Sequence, residues 1–373
     1  MSSSSDATLS RWNRRTRILI LLAGLILPQF VLIRPSLFGG KILLPLDFLQ
    51  QPQVYLPIDP AHPPPTLHDR LTSDLVYLFE PNRQFIVSEM RAGRVPLWNP
   101  YNYCGVPCLA SGQGAVFSPL RVLDYLWNDP GVLAWDRVLR AIVMGVGAYL
   151  FFRRVLGVGF APAAIGAWCY PLTGFMTIWD GYTLPMVALW LPWMLLSIEE
   201  TIRAPRSGWP IALALSTAAM ILSGHPAMSL HVMAVSGLFA VWRVIARGAW
   251  TAPIALGLAT LCGILLACPQ ILPSAEYLNQ SYRVAQRRAG VQEPSSEGPQ
   301  ALLQMVLPYY YGSNLGESFY VITKSNRLES GAAGYAGLIV ALVLTPLGWL
   351  NRRLRSFQVF WLILGFQIGR AHV

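Results

Sequence analysis

The chain has 373 residues, 54% of them hydrophobic and only 12% charged, where an ordinary soluble domain carries about 25% charged residues. A surface so poor in charge cannot stay hydrated, so most of the chain must meet lipid or other apolar helices. There are 28 Lys and Arg against 18 Asp and Glu, a net charge of +10, but the arginines stand in pairs after apolar runs with no nucleic-acid-binding signature among them, which argues against nucleic acid as a partner.

In chain order, residues 1–17 form a Ser-rich and then Arg-rich tail. An apolar run at 18–34 follows. It is longer than the core of a signal peptide, and Arg34-Pro35-Ser36 stands where a small-x-small cleavage site would be, so it reads as an uncleaved first span. Further apolar runs lie at 132–152, 159–179, 182–199, 209–224, 227–246, 250–272, 333–350 and 356–368. With the first they make about nine spans, counting some shorter than the usual 20 residues. Open sheet edges cannot sit in hydrocarbon, so an all-α polytopic membrane protein is expected, in which prolines such as Pro185 and Pro192 are tolerable.

Arg11, Arg14, Arg15 and Arg17 precede the first span; Arg153 and Arg154 follow the second, and Arg203 and Arg206 the fourth. Arg243 and Arg247 flank the end of the sixth, and Arg352, Arg353 and Arg355 follow the eighth. The short loops around Asp180 and His225 hold no Lys or Arg. Basic loops therefore alternate with neutral ones, which places the N-terminus in the cytoplasm. Two long outer segments result, 35–131 and 273–332. The first holds prolines (Pro57, Pro60, Pro63, Pro64, Pro65) and then an amphipathic helix from Thr72 to about Ala92, suited to the membrane surface. Thr72 or Ser73 would cap it and Pro81 kink it. The second is polar and aromatic around Tyr309-Tyr310-Tyr311-Gly312.

Ile368-Gly369-Arg370-Ala371-His372-Val373 is what a common sequencing adapter encodes in one frame, so residues 351–373 are expected to hold a last helix broken off by an artefactual end at 368–373. The remaining domain, 18–350, is the membrane body. Cys169, Cys262 and Cys268 lie in apolar runs as small hydrophobes. Cys104 and Cys108 lack His partners at zinc spacing.

Transporters usually place ionisable groups at mid-span. Here the span interiors are nearly free of charge, with Asp136, Arg137 and Arg140 near the outer end of the second span the main exception, and the acids gather at the outer rim: Asp47, Asp59, Asp69, Asp74, Glu80, Glu89, Asp124, Asp180 and Glu276. An Asp opening an aromatic-rich helix, then Gly93-Arg94-Val95-Pro96-Leu97-Trp98-Asn99-Pro100, Gly105-Val106-Pro107, Ser118-Pro119, Leu191-Pro192-Trp193, Ser223-Gly224-His225-Pro226, Gln270-Ile271-Leu272-Pro273 and Leu307-Pro308 form an ordered set over about residues 40–340. This set resembles the bacterial YfhO-type membrane protein family.

The resemblance implies a GT-C-like glycosyltransferase of the cytoplasmic (inner) membrane. Such an enzyme takes a monosaccharide from a polyprenyl-phosphate donor on the outer face and passes it to a glycan, lipid or polymer of the cell envelope, with inversion. It also implies a general base in the first outer loop, because an acceptor hydroxyl attacks only as its proton is accepted. Asp74 is the first candidate and Asp47 the alternative; helix capping or a favourable dipole contact at a helix N-terminus for Asp74, and an exposed turn for Asp47, are the structural readings. Asp180, His225, Glu276, Arg283, Trp98, Arg137 and Arg140 are candidate substrate-binding residues: the arginines and His225 for phosphate, Trp98 for stacking on sugar, Asp180 for acceptor or metal. Each has a plainer reading at an interface or in a loop. Asp47, Asp74 and Asp180 together could hold a divalent cation such as Mg or Mn. A transporter or flippase for lipid-linked saccharides is the alternative function.

Overall fold

The structure, a computed structural model, describes residues 13–51, 61, 67, 69–290, 299–312 and 333–371. The prolines at 57–65, most of the expected outer segment beyond residue 290 and the final two residues lie outside the described part. The chain divides into two compact units: Met1–Leu43, Asn82–Pro171 and Gly181–Ala285 in the first, and Leu44–Pro81, Leu172–Asp180 and Gln286–Val373 in the second.

The first unit is helical throughout save for one small hairpin. Helix α1 (Arg14–Leu37) starts at Asn13, whose side chain accepts the Thr16 N–H at 2.8 Å. Pro28 and Pro35 lie inside it, and Ile33 leaves helical geometry just before Pro35, as the ring of a proline disfavours helical backbone in the preceding turn. Then follow α2 (Glu80–Arg91), which begins at the boundary of the two units, the hairpin strands β1 (Trp98–Asn99) and β2 (Val106–Pro107), and α3 (Val122–Leu126). The bundle proper consists of α4 (Val132–Arg154), α5 (Phe160–Cys169), α6 (Thr183–Ala188), α7 (Leu191–Arg203), α8 (Trp209–Leu222), α9 (Pro226–Arg247), α10 (Ala252–Leu266) and α11 (Cys268–Asn279). A short α12 (Tyr282–Arg288) follows.

Helix α7 is the hub. It packs against α4, α8, α9 and α10, and every residue from Met194 to Ile202 is buried. On one side α1, α4 and α5 share a core of Leu21, Leu25, Ala148, Phe160, Ala164 and Ala167. On the other, Val187, Met194, Met220 and Val232 join α6, α7, α8 and α9. Indole N–H groups tie helices to one another: Trp168 donates to the Leu21 carbonyl and Trp193 to that of Val143, each at 3.0 Å.

Outward faces are apolar. Leu19, Leu27 and Val31 of α1, Leu230, Leu238 and Val241 of α9, and Ile254, Leu258 and Leu261 of α10 are exposed, a belt far larger than a soluble surface tolerates. Among the described residues, α1 and α9 are long and apolar enough to cross a membrane; α10 with α11 makes a third if the pair, bent by 73° at Ala267, counts as one span. The molecule is therefore mainly α-helical, with a few helices suited to lipid, where about nine spans were expected.

The difference has local causes. Run 159–179 breaks at the 3-10 turn Tyr170–Leu172, and run 182–199 divides into α6 and α7. Helix α8 has 14 residues, about 21 Å at 1.5 Å per residue, against a hydrocarbon core of about 30 Å. Helix α4 is long enough but carries Asp136, Arg137 and Arg140 in its first half.

In the second unit, a 3-10 turn (Leu46–Gln50) rests on a π-helical turn (Leu75–Phe79) that runs into α2. The expected surface helix thus exists as this turn plus α2, from Leu75 to Arg91, with Pro81 in the first turn of α2, where its missing N–H costs little. A last helix, α13 (Arg355–Ala371), follows a π-helical turn at Val340–Leu344 and one helical turn at Thr345–Gly348.

Candidate functional site

Two groups of residues, one in each unit, deserve separate description. In the second unit, Asp47 sits in the 3-10 turn and Asp74 immediately before the π-helical turn. The two turns are joined by Phe48, which is buried, and Tyr77: their rings meet edge to face at 5.8 Å, and the Tyr77 hydroxyl donates to the Phe48 carbonyl at 3.1 Å. Asp74 has helical backbone geometry, its side chain makes no capping hydrogen bond, and it is exposed. The capping explanation for this carboxylate therefore falls away.

Asp69, given no role from the sequence, belongs to the same neighbourhood. Its Oδ1 accepts the Leu71 N–H at 2.9 Å and its carbonyl accepts the Thr72 hydroxyl at 2.8 Å. Half-burial, followed by the negative charge of Asp47, pushes its carboxyl above the usual value, although the Leu71 N–H works the other way. Asp180 is half-buried at the end of the segment Leu172–Asp180. Among the described residues, no three His, Cys, Asp or Glu gather to hold a metal ion. Asp47, Asp74 and Asp180 are therefore not drawn together as such a group. Tyr309 and Tyr310 are exposed and Tyr311 is buried, the last two rings meeting edge to face at 4.9 Å.

In the first unit, several of the sequence motifs meet. The Gly93–Pro107 stretch folds into the β1–β2 hairpin, with Trp98 opposite Pro107 and Asn99 opposite Val106. Asn99 is buried; its amide donates to Asn82 at 2.8 Å and its oxygen accepts the Tyr101 N–H. Gly105 has φ +106° and lies under the Trp98 indole, where a Cβ would come within 2.4 Å of Nε1. The motif spacing is thus a packing requirement. Trp98, Tyr101 and Tyr103 stand exposed on the hairpin.

Beyond it, Ser118 and Ser223 share a hydrogen bond at 3.1 Å, and the Trp190 indole donates to Ser223 at 3.1 Å. Gly224 (φ +88°) lets the turn before α9 touch the Leu109–Gly112 turn: a Cβ there would sit 2.6 Å from the Gly112 carbonyl and 3.4 Å from Thr183 Cβ. Gln270 holds the same turn, donating to the Leu109 carbonyl at 2.7 Å and to Ser274 at 2.9 Å. Thr183 Oγ1 and Gln270 Oε1, both on nearly fully buried side chains, find no hydrogen-bond partner among the described residues. His225, with left-handed backbone (φ +42°), caps α9: its Nδ1 accepts the Met228 N–H at 3.1 Å. That bond requires a lone pair on Nδ1, so the ring is neutral with its proton on Nε2. Burial agrees, pulling the His225 pKa below 6.5.

Of the remaining candidates, the two arginines of α4 have structural engagements. Arg140 is buried with its Nε 2.9 Å from Asp136 one turn away on α4, and Arg137 donates to Gln29 of α1 at 3.0 Å. Glu276 is exposed on α11. Arg283 falls on α12, and its side chain lies outside the described part. The Thr183 and Gln270 groups were missed because nothing local marks them; Gln270 stood inside a quoted motif, but its partner turn is more than 150 residues away in the chain.

No protein-family model matches the chain, and neither a curated protein nor a solved structure does.

Proposed function

We propose that this chain is a GT-C-like membrane glycosyltransferase of the YfhO type, with about nine spans and a cytoplasmic N-terminus. It transfers a monosaccharide from a polyprenyl-phosphate donor to a cell-envelope acceptor at the outer face of the bacterial inner membrane. The observation that carries this reading is the state of Asp74: exposed, at the mouth of the surface helix and spent on no cap. An exposed carboxylate spent on no cap, just before the turn that packs against the one carrying Asp47, is what an acceptor hydroxyl needs to lose its proton as the glycosidic bond forms. The anionic carrier leaves with its phosphate, a charge that hydrogen-bond donors or a basic residue must favour.

A second reading rests on α4. The buried Asp136–Arg140 pair lies with Arg137 in the first half of α4, and ionisable groups within a span mark translocation routes. A flippase or transporter for lipid-linked saccharides is the alternative.

Membranes containing wild type, Asp74→Asn or Asp47→Asn, incubated with radiolabelled polyprenyl-phosphate hexoses, decide between them. The transferase reading expects label in envelope material, lost about a hundredfold in Asp74→Asn, as when a general base is removed. Collapse in Asp47→Asn alone would move the base to Asp47. Label that crosses the bilayer without transfer, sensitive to Asp136→Asn, would establish the flippase instead.

A further inference from the structure

The polar groups buried between α6, the turn before α9 and the start of α11 have a chemical character that the carboxylates of the other unit lack. Thr183 Oγ1 offers one donor and two lone pairs; Gln270 has spent both amide protons on Leu109 and Ser274 and keeps only its carbonyl oxygen. Both atoms are buried without a partner, on side chains 1% and 4% exposed. An unsatisfied buried polar atom costs about 1–3 kcal/mol, so two on side chains that flank the contact between Gly112 and Gly224 call for an explanation. On the turn that carries Gly224, His225 keeps an Nε2–H donor and Ser223 is bonded to Ser118 and Trp190, none of them with a formal charge.

Such a set rejects an anion: the bare carbonyl oxygen of Gln270 would repel it, and none of these groups carries a compensating positive charge. A hydroxyl group suits it, donating to Gln270 Oε1 while accepting from Thr183 or His225. Two glycines meet here backbone to backbone, so the Leu109–Gly112 and Ser223–His225 turns touch without bulky side chains between them. We infer that Thr183 and Gln270 form a subsite for the hydroxyls of a neutral sugar ring, reached when these two turns part. The identification of that sugar as the carrier-borne hexose rests on the transferase reading; the hydroxyl specificity does not.

Thr183→Val is the decisive variant, because it removes a hydroxyl that makes no hydrogen bond among the described residues while keeping its shape. Full-length protein in lipid nanodiscs would be titrated with three probes: a radiolabelled polyprenyl-phosphate hexose, bare polyprenyl phosphate and a long-chain alkyl glucoside. The expected result is roughly tenfold weaker binding of both sugar-bearing probes, unchanged binding of the bare phosphate, an unchanged or higher Tm, and recovery in Thr183→Ser. Gln270→Met should repeat the pattern, although it also loses the bonds to Leu109 and Ser274. The subsite is overturned if Thr183→Val leaves all three affinities alone, as a buried water would predict, if it weakens all three equally, or if wild type binds neither sugar-bearing probe. Glucoside discrimination without transferase activity would sink the proposed reaction and leave the subsite standing; transfer unaffected by Thr183→Val would do the reverse.

Discussion

His225 combines backbone strain with a capping duty. A non-glycine residue at φ +42° costs on the order of 1 kcal/mol or more, and the bond from the Met228 N–H to Nδ1 offsets part of this by closing the first turn of α9. Asparagine tolerates left-handed backbone and caps helices well, so His225→Asn should fold like wild type. His225→Ala, which loses the cap and keeps the strain, should lower stability by about 1–2 kcal/mol in denaturant unfolding. The pH dependence has a definite sign. Burial depresses the folded-state pKa below 6.5, so the folded chain binds fewer protons than the unfolded one. Its contribution is complete above pH 6.5 and is lost as pH falls through the depressed value. Unfolding midpoints of wild type and His225→Asn should therefore coincide above pH 6.5, and the wild type should fall below the variant as pH drops through the depressed value; parallel profiles would refute the assignment. Gly105 makes the complementary case. An alanine there needs left-handed backbone and a Cβ 2.4 Å from the Trp98 indole, so Gly105→Ala should displace Trp98 and show it as a shifted fluorescence maximum.

At the scale of elements, the arginines spaced along alternate loops come together on two adjacent glutamates. Glu199, fully buried on α7, receives Arg243 through two bonds of 2.7 and 3.0 Å and Arg247 at 2.8 Å, both from α9, while Arg203 lies 3.3 Å away. Glu200 takes Arg154 of α4 at 2.9 and 3.2 Å and Arg203 at 2.9 Å. Removing one partner of a buried ion pair leaves uncompensated charge, at a cost of about 3–5 kcal/mol. Glu199→Ala should therefore lower the Tm of the detergent-solubilised chain far more than Glu276→Ala on the exposed face of α11, and equal effects would contradict the knot. The arginine pattern was legible from sequence because it is written in the order of residues along the chain; its glutamate partners were not, because two acids in an apolar run look like a span end until α4 and α9 are placed beside them. Breaks in the spans escaped for a related reason. Composition hardly changes across Leu266-Ala267-Cys268-Pro269, yet the axis turns by 73°. Only Pro269, which cannot donate and so favours the first turn of a new helix, hints at it. Asp74 was legible as an acid at a helix start, whereas its lack of a capping bond is a matter of backbone angles that no residue type announces.

For the whole molecule, the proposed topology makes the loop containing Cys104 extracytoplasmic and the Arg203–Ser207 turn cytoplasmic, and the chain carries a natural reporter for this. Cys104 is exposed, whereas Cys108, four residues on, is buried, and burial pushes its thiol up to about 11. Thiolate is the reactive form, so near neutral pH Cys104 should react with a maleimide orders of magnitude faster than Cys108. Variants of a cysteine-free chain restoring only Cys104, only Cys108, or carrying only Ser207→Cys would be treated in intact cells with a membrane-impermeant maleimide, then again after permeabilisation. Labelling of Cys104 in intact cells, of Ser207→Cys only after permeabilisation and of Cys108 only after denaturation is the expected pattern. Because Ser207 follows the helix end tied by Glu199 and Glu200 to Arg154, Arg243 and Arg247, one accessible position there reports on the ends of α4, α7 and α9 together. Labelling of Ser207→Cys from outside, with Cys104 silent, would invert the molecule in the bilayer. The exposed hairpin would then lie where polyprenyl-linked sugars are assembled, not where they are consumed, and the outer-face transferase would have to be abandoned.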